Sequence, residues 1–285
     1  MRVLITGSKG TLGQYLIHAF DGHEVVGVDC NELDITDRDA VRSIMSRVRP
    51  DCVCNAAAYN AVDAVEEDAT IAELVNGTAV GYLAAAAAAS GASFVHFSTD
   101  YVFDGHAADG YDEYAKPQPV SAYGQSKLLG ERAIVNVART HPEWLWYCIR
   151  TSRLFGSAGA SSASKRSFVD TMLELAATRD RLEVVDAEVS SPTYAEDLAK
   201  ETVALAVAAP STGIYHRTND GACTWYEFAR AVLECVDWKG KLVAVRSDAM
   251  QRAAMRPQRS VLITTKLPPL RTWRSAVRAY IASRK

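Results

Sequence analysis

The fold of this chain is decided by the segment Gly7-Ser8-Lys9-Gly10-Thr11-Leu12-Gly13. An apolar run precedes it, and a stretch with helical periodicity follows it. Glycines between a strand and a helix permit a tight turn, and they let a pyrophosphate approach the backbone at the helix N-terminus. The pattern Gly-x-x-Gly-x-x-Gly in this context is a variant of the dinucleotide fingerprint. We therefore predict a dinucleotide phosphate site at Gly7, Gly10 and Gly13.

Outward from this segment, the first half of the chain alternates between apolar runs and amphipathic stretches. The apolar runs predict strands at residues 2–6, 24–29, 51–55, 93–98 and 144–150. The amphipathic stretches predict helices at residues 11–19, 37–47, 70–89 and 121–138. The less regular second half predicts strands at 182–186, 213–217 and 241–245, and helices at 170–178, 195–208, 224–234 and 272–282.

Such alternation predicts an α/β fold, a Rossmann-type doubly wound parallel sheet. The less regular second half, which no low-complexity linker separates from the first, is expected to add a smaller, interleaved C-terminal substrate-binding domain. The dinucleotide-binding domain is expected to comprise residues 1–156 and about 194–218. The substrate-binding domain then takes about 157–193 and 219–285. We expect the site in the cleft between them. The Ser-rich loop from Gly159 to Ser164 is a candidate lid.

Composition and charge bound the classes of partner. The 285 residues include 31 Lys and Arg against 34 Asp and Glu, a net charge of −3. Such a near-neutral chain predicts a small-molecule ligand and no nucleic acid. No charged residue lies between Glu73 and Asp100, but the centre of that stretch is weakly hydrophobic alanine. We expect a packed helix there and no membrane contact.

Cysteine and histidine usage indicates a reducing compartment and no metal centre. The six cysteines form no Cys-x-x-Cys pair and stand mostly among apolar residues, as buried free thiols do. The six histidines are scattered without zinc-site spacing. The apolar run after Met1 is shorter than a signal-peptide core. We therefore predict a cytoplasmic protein.

Tyr123 and Lys127 are four residues apart on a predicted helix, so both project from one face. A neighbouring ammonium favours the phenolate and lowers the pKa of a tyrosine, which makes it a proton donor and acceptor near neutral pH. Thr99 follows a predicted strand at its carboxyl end, where its hydroxyl can meet a substrate oxygen. Tyr-x-x-x-Lys alone is common by chance, with a solvated helix face as the alternative. Combined with the glycine segment, these three residues are the candidate catalytic residues.

The choice between NADH and NADPH stays open from the sequence. Asp29 stands sixteen residues after Gly13, at the end of the second predicted strand. A carboxylate there can accept a hydrogen bond from a ribose 2′-hydroxyl and so favour NADH. Lys9 and Arg38 are placed to approach a 2′-phosphate instead. A helix or turn cap is the alternative role of Asp29.

These features together resemble the extended short-chain dehydrogenase/reductase superfamily, and within it the dTDP-4-dehydrorhamnose reductases. The resemblance covers nearly the whole chain. It is carried by Leu33-Asp34-Ile35-Thr36-Asp37, Asn55-Ala56-Ala57-Ala58-Tyr59, Ser98-Thr99-Asp100-Tyr101-Val102-Phe103-Asp104-Gly105, Tyr123 to Lys127 with Gly130-Glu131, Arg150-Thr151-Ser152, Ser191-Pro192-Thr193, Trp225-Tyr226-Glu227-Phe228-Ala229, and Arg256-Pro257 with Ser260-Val261-Leu262.

The resemblance implies a role for each matching position. Tyr123 is the proton donor, Lys127 its partner, and Thr99 the hydroxyl that polarises the carbonyl. Thr99 and Asp100 face the sugar. The implied cofactor contacts are Gly10, Thr11 and Leu12 at the pyrophosphate, Asp34 and Ile35 near the adenine, and Ala57, Ala58 and Tyr59 near the ribose and phosphates.

The chain departs from the family pattern on the substrate side. Arg153 stands where the family usually has a Trp that packs on the sugar, and Ser167-Phe168 stands for an Asn-Phe pair. Ala187 to Ser191 replaces a Gly-rich segment. Arg153 is thus a candidate contact to an anionic or more polar substrate, with a surface or diphosphate-facing arginine as the alternative. The identity of the sugar is open.

The implied activity is NAD(P)H-dependent reduction of the 4-keto group of a nucleotide-diphosphate deoxysugar, such as dTDP-4-dehydro-L-rhamnose. An epimerase or dehydratase is an alternative, but dehydratases typically carry Thr-Asp-Glu, and here Tyr101 follows Thr99-Asp100. A non-catalytic NAD(P)-binding regulatory subunit is another, although Tyr123 and Lys127 are both present. The expected partner is the sugar nucleotide, and the chain is expected to be a monomer or homodimer.

Overall fold

The computed structural model describes residues 1–161, 164, 166–247 and 252–284. Its strands are β1 (Arg2–Thr6), β2 (Glu24–Val28), β3 (Cys52–Asn55), β4 (Ser93–Thr99), β5 (Trp146–Thr151), β6 (Leu154–Phe155), β7 (Arg181–Val185), β8 (Val189–Ser190), β9 (Thr193–Tyr194), β10 (Gly213–His216), β11 (Cys223–Thr224) and β12 (Lys241–Val245). Its helices are α1 (Thr11–Ala19), α2 (Arg38–Val48), α3 (Val62–Glu67), α4 (Thr70–Glu73), α5 (Ala79–Ser90), α6 (Ala122–Thr140), α7 (Phe168–Thr178), α8 (Ala195–Ala208), α9 (Trp225–Cys235) and α10 (Trp273–Ser283).

Six parallel strands form the central sheet, in the order β10-β5-β4-β3-β1-β2. From β1 the chain proceeds to β2 on one side and then returns to β3 on the other. The strand order therefore reverses beside β1. Open α/β sheets bind their ligands outside the carboxyl ends of the strands at such a point, and we call this region the crevice. The predicted doubly wound parallel sheet is confirmed.

Helices cover both faces of this sheet. One face packs against α2, α5 and α6, whose buried residues include Val41, Leu83 and Ile134. The other packs against α1 and α8, through Leu16 and Leu198 among others. β10 reaches the sheet edge only after β6 to β9 and α8 have been made, so the sheet is built from two separated parts of the chain.

A third core lies outside the sheet and joins α7, α9 and α10. Phe228 is at its centre and contacts Phe155, Phe168 and Trp273. Next to it, β7 pairs with β12 in parallel and β8 pairs with β11 in antiparallel fashion. The strands of two residues are too short for a periodicity to predict them.

The alanine-rich stretch lies in one helix over Thr70–Ser90, which contains a single π-turn at Leu74–Thr78. By length and composition it is the one helix in the described part of the chain that would suffice to cross a membrane. Within the fold its second half is a core helix, because Ala79, Val80 and Leu83 pack on the sheet side between α2 and α6.

Candidate active site

The glycine segment forms a tight turn between β1 and α1. Gly7 has φ +65°, the left-handed region that favours glycine. A Cβ on Gly13 would lie 2.1 Å from the Gly7 carbonyl oxygen. Gly10 caps α1 without a side-chain hydrogen bond, and the first turn, which begins with Thr11 and Leu12, carries no acidic residue. The positive end of the helix is thus available to an anion, and this turn fits a dinucleotide pyrophosphate.

Asp29 lies beside this turn and is held by backbone donors. Its carboxylate accepts from the N–H groups of Lys9 and Cys30, both at 2.9 Å. Burial acts to raise the pKa of Asp29, but these hydrogen bonds outweigh it and keep the pKa below its usual value. The Lys9 ammonium pairs with Glu32 at 2.5 Å. Asp29 is therefore an anion that braces the glycine turn, and its contact with a ribose stays a prediction.

Asp34 and Ile35 lie farther along the same connection. The exposed Asp34 carboxylate accepts from the N–H and hydroxyl of Thr36, and these bonds lower its pKa. Ile35 is buried in the core beside α2. The contact of either residue with an adenine stays a prediction.

Ala57, Ala58 and Tyr59 leave the carboxyl end of β3 at the edge of the crevice. The Ala57 N–H donates to Asn55 Oδ1 at 3.2 Å. The side chain of Asn76, in the π-turn, accepts from the Tyr59 N–H at 2.9 Å and donates to the Tyr59 carbonyl at 3.0 Å. This segment is therefore fixed at both of its ends.

The fold brings Tyr123 and Thr99 together. Burial and nearby Asp100 raise the pKa of Tyr123, and the neighbouring Thr99 hydroxyl acts against that shift and is outweighed. The Tyr123 hydroxyl donates to Asn60 Oδ1 at 3.2 Å, and its ring meets that of Tyr101 edge to face. The predicted lowering of this pKa is therefore wrong for the ligand-free protein. The phenol is protonated at neutral pH, as a proton donor must be.

Lys127 lies one helical turn beyond Tyr123 and is 2% exposed. Its ammonium donates to the Phe97 carbonyl at 2.7 Å. Burial lowers the pKa of Lys127 to about 8, with Cys148 and Glu131 acting in the opposite direction. The side chain is thus enclosed, and its pKa lies about one unit above neutral pH.

A buried ion pair lies close to Lys127. Arg150 on β5 donates to both carboxylate oxygens of Glu131 on α6, at 2.9 and 2.7 Å. The Ser98 hydroxyl donates to the same carboxylate at 2.6 Å. The two charged side chains are 1% and 3% exposed. This bidentate pair fixes α6 against β4 and β5, and with it the positions of the candidate catalytic residues.

Asp100 follows Thr99 and is almost completely buried. Its carboxyl group accepts from the hydroxyls of Ser152 at 2.8 Å, Ser260 at 2.5 Å and Thr99 at 3.2 Å. Burial raises its pKa, and these three donors act against that shift. Asp100 therefore joins three distant parts of the chain next to Thr99, and its contact with a sugar stays a prediction.

Arg153 joins two further segments. Its terminal nitrogens donate to the carbonyl oxygens of Cys223 and Glu188, both at 2.8 Å. Its guanidinium lies 4.0 Å from the centre of the Trp225 ring, a cation–π geometry. Burial lowers its pKa, and nearby Asp100 acts in the opposite direction. One N–H group of each terminal nitrogen is thus used by a backbone acceptor, and contact of this residue with substrate stays a prediction.

The Ser-rich segment predicted as a lid lies against the glycine turn. The Ser161 N–H donates to the Lys9 carbonyl at 3.0 Å. The Ser164 hydroxyl lies 3.3 Å from that of Thr11. Residues 162 and 163 of this segment lie outside the described residues. The segment therefore neighbours the glycine turn.

Sequence reasoning missed three polar residues of the site. Asn60 follows the Ala57–Tyr59 motif directly, and Asn76 is a lone amide in an apolar helix. Ser260 lies in the quoted C-terminal motif, but no role was assigned to it. In the described part of the chain, no group of three or more His, Cys, Asp or Glu side chains is arranged to hold a metal ion.

Comparison with known proteins agrees with this geometry. Residues 1–285 match the family model described as RmlD substrate binding domain. The chain is 38% identical to a dTDP-4-dehydrorhamnose reductase of Burkholderia thailandensis, over 97% of each protein. It is 34% identical to a dTDP-4-keto-6-deoxy-D-glucose reductase of Streptomyces niveus, over 97% of this chain and 95% of that one.

A solved structure has the same fold. The dTDP-4-dehydrorhamnose reductase of Bacillus anthracis, in complex with NADP, superposes with a TM-score of 0.92 at 30% identity and covers 99% of both chains. The family match spans the chain from end to end, and the relatives are matched over nearly their whole length. The chain therefore belongs to the dTDP-4-dehydrorhamnose reductase family.

Proposed function

We propose that the protein reduces the 4-keto group of a dTDP-linked 6-deoxysugar with NADPH or NADH, and that dTDP-4-dehydro-L-rhamnose is the first substrate to test. The observation that carries this proposal is the meeting of Thr99, Tyr123 and Lys127 at the carboxyl end of β4, next to the glycine turn. Family membership supports the same reaction class.

The cofactor would be held along the strand ends. Gly10, Thr11 and Leu12 would take the pyrophosphate, and Ala57 to Tyr59 would border the adjoining ribose. Lys127 would hold a hydroxyl of the second ribose once its ammonium turns from the Phe97 carbonyl. When bound, the reduced nicotinamide supplies a hydride.

Three side chains would handle the sugar carbonyl. The Thr99 hydroxyl would donate a hydrogen bond to the ketone oxygen, which increases the positive character of the carbon. Tyr123, whose pKa is raised by burial, holds its proton at neutral pH and would transfer it to the oxygen as negative charge develops there. To donate to the ketone oxygen, Thr99 would turn its hydroxyl hydrogen away from Asp100 Oδ1, which accepts it in the structure.

The two lobes would divide the ligands. We assign the dinucleotide to residues 1–156 and about 194–218, because β10 belongs to the central sheet. The sugar nucleotide would contact residues 157–193 and 219–285. A cytoplasmic, soluble enzyme that is a monomer or homodimer would suit this reaction.

The test is direct. The purified full chain is mixed with dTDP-4-dehydro-L-rhamnose and either NADPH or NADH, and the absorbance of the reduced nicotinamide is followed. Ketone-dependent oxidation with formation of dTDP-L-rhamnose supports the proposal, and dTDP-glucose, which has no ketone, is the control. Cofactor binding without oxidation across a panel of 4-keto sugars would favour a regulatory subunit. Sugar interconversion without net oxidation would favour an epimerase.

A further inference from the structure

The hydrogen-bond acceptor of the Tyr123 hydroxyl is the side chain of Asn60, from a separate segment of the chain. Asn60 lies between β3 and α3, directly after Tyr59. We propose that Asn60 is a positioning residue that orients the phenol of Tyr123 for proton transfer. This inference rests on the proposed reductase function.

The structure fixes Asn60 relative to Tyr123 through one buried amide. Asn76 grips both backbone polar groups of Tyr59, the residue before Asn60, and it also donates to the Ser126 hydroxyl at 3.0 Å. The Ser126 hydroxyl in turn donates to the Tyr123 carbonyl at 2.8 Å. The backbones that carry the phenol and its acceptor are therefore tied to the same side chain.

The π-turn is what places that amide. Asn76 lies within Leu74–Thr78, where the helix makes one wider turn and the regular bonding pattern is broken. Its side chain has no exposed surface and all its bonds run to the Tyr59 segment or to α6. A π-turn in a helix commonly marks a functional site. Here its Asn76 side chain joins the segment that carries Asn60 to the helix that carries Tyr123.

An amide suits both states of a proton donor. In the structure Asn60 Oδ1 accepts from the Tyr123 hydroxyl. Rotation of the Asn60 amide would present its N–H₂ group to the phenol oxygen and leave the phenolic O–H to point at the sugar oxygen. When the phenolic O–H bond breaks and the proton joins the sugar oxygen, the phenolate needs a donor. The N–H₂ group of the rotated Asn60 amide is that donor, and the phenolate then takes a proton from water.

The experiment uses the full chain with three changes at Asn60 and one elsewhere. Asn60→Ala removes both functions, Asn60→Ser keeps a short donor and acceptor, and Asn60→Asp puts a carboxylate beside the phenol. Asn136→Ala is the control, because Asn136 is an exposed asparagine on α6 whose side chain bonds only Arg139 among the contacts described. Each protein is assayed for ketone reduction and for the reverse oxidation across a range of pH.

Asn60→Ala should lower kcat by about 10- to 100-fold with little change in the sugar KM, because the phenol loses its orientation and not its substrate. Asn60→Ser should recover part of that loss. Asn60→Asp should move the pH midpoint of the oxidation reaction upward by about one unit, because a carboxylate opposes phenolate formation. Wild-type kcat and midpoint in Asn60→Ala and Asn60→Asp would overturn the inference.

A second readout separates this inference from the proposed function. In the cofactor-free protein labelled with ¹³C at the tyrosine Cζ, the Tyr123 resonance is the one missing from Tyr123→Phe. Asn60→Asp should shift that resonance, and Asn136→Ala should not. If wild-type protein reduces no 4-keto sugar, the proposed function fails while this shift still tests the contact. An unmoved resonance contradicts the contact whatever the activity.

Discussion

The Asp63 carboxylate accepts paired hydrogen bonds from the Arg256 guanidinium, 193 residues farther along the chain, at 3.0 and 2.8 Å. The Ala254 N–H donates to the same carboxylate at 3.1 Å. Asp63 lies at the start of α3, three residues after Asn60, whereas Arg256 leads to Ser260, which donates to Asp100 next to the carboxyl end of β4. The pair therefore joins the side of the crevice that carries Asn60 to the C-terminal segment.

Asp63→Asn should destabilise the protein by about 1 kcal/mol at pH 7, since the carboxylate is 48% exposed and solvent screens the pair. The Arg256 hydrogen bonds lower the pKa of Asp63 to about 2 from a usual value near 3.8. A depressed carboxyl pKa contributes stability that is complete above the unfolded value and is lost as pH falls toward the folded one. The difference in the free energy of unfolding between wild type and Asp63→Asn, measured by urea unfolding, should therefore become smaller between pH 4 and pH 2. A difference that stays constant in that range would contradict the ion pair.

Tyr123→Phe should lower turnover by at least about 100-fold, because the general acid is removed. Cofactor affinity should stay within about threefold of wild type, and the free energy of unfolding should change by less than about 1 kcal/mol, since only one hydrogen bond to Asn60 is lost. Stopped-flow reduction and fluorescence titration with NADPH measure the two effects. Tyr114→Phe, at a residue that is 76% exposed, is the matched control. Wild-type turnover in Tyr123→Phe would exclude it as the proton donor.

Lys127→Met should be inactive and yet more stable at pH 7, by about 1–3 kcal/mol. Burial lowers the pKa of Lys127 to about 8, so below that pH the folded state carries an ammonium that it disfavours. Because the unfolded chain binds more protons between pH 8 and 10.5, the wild type gains stability with rising pH, and the advantage of the variant should shrink across this interval. Lys200→Met, at an exposed surface pair, should show no such dependence. A variant that is less stable than wild type at pH 7 would contradict the prediction.

Glu32→Gln should raise the preference for NADPH over NADH by about threefold to fivefold, as the ratio of kcat/KM values. Glu32 forms an ion pair with the Lys9 ammonium, and Glu32 and Asp29 together place two carboxylates next to the expected ribose. Loss of one negative charge releases the lysine toward a 2′-phosphate, and salt should reduce the effect. Glu24→Gln, at the Arg2 pair on the other end of β2, is the control. If the NADPH/NADH ratio of kcat/KM values is unchanged at low salt, the 2′-position of the cofactor ribose does not lie next to Lys9 and Glu32.

Periodicity predicted nearly every long element, because each buries one continuous apolar face. The helix at 195–208 and the strand at 241–245 have the predicted bounds. The Thr70–Ser90 helix was predicted, but its π-turn was not, since one wider turn leaves no mark in the pattern of apolar residues. The π-turn matters because it sets the direction of Asn76.

The site was predictable as a set of motifs but not as a set of contacts. Tyr123 and Thr99 meet as expected, whereas the rise in the tyrosine pKa depends on burial that spacing does not report. The sequence makes Arg153 a candidate ligand contact, but it does not reveal that the terminal nitrogens of Arg153 donate to the carbonyls of Cys223 and Glu188. Contacts between residues far apart in sequence follow from the completed fold.

The late position of β10 and α8 also has a consequence for synthesis on the ribosome. The sheet face that holds Ile5, Val95 and Ile149 is covered by α8 together with α1, and the outer edge of β5 is paired by β10. A nascent chain that ends near residue 156 therefore presents an apolar face and an unpaired strand edge, both hazards for aggregation. We therefore expect the central sheet to be completed only after about residue 216 has left the exit tunnel, and a fragment cut at 156 should be captured by chaperones.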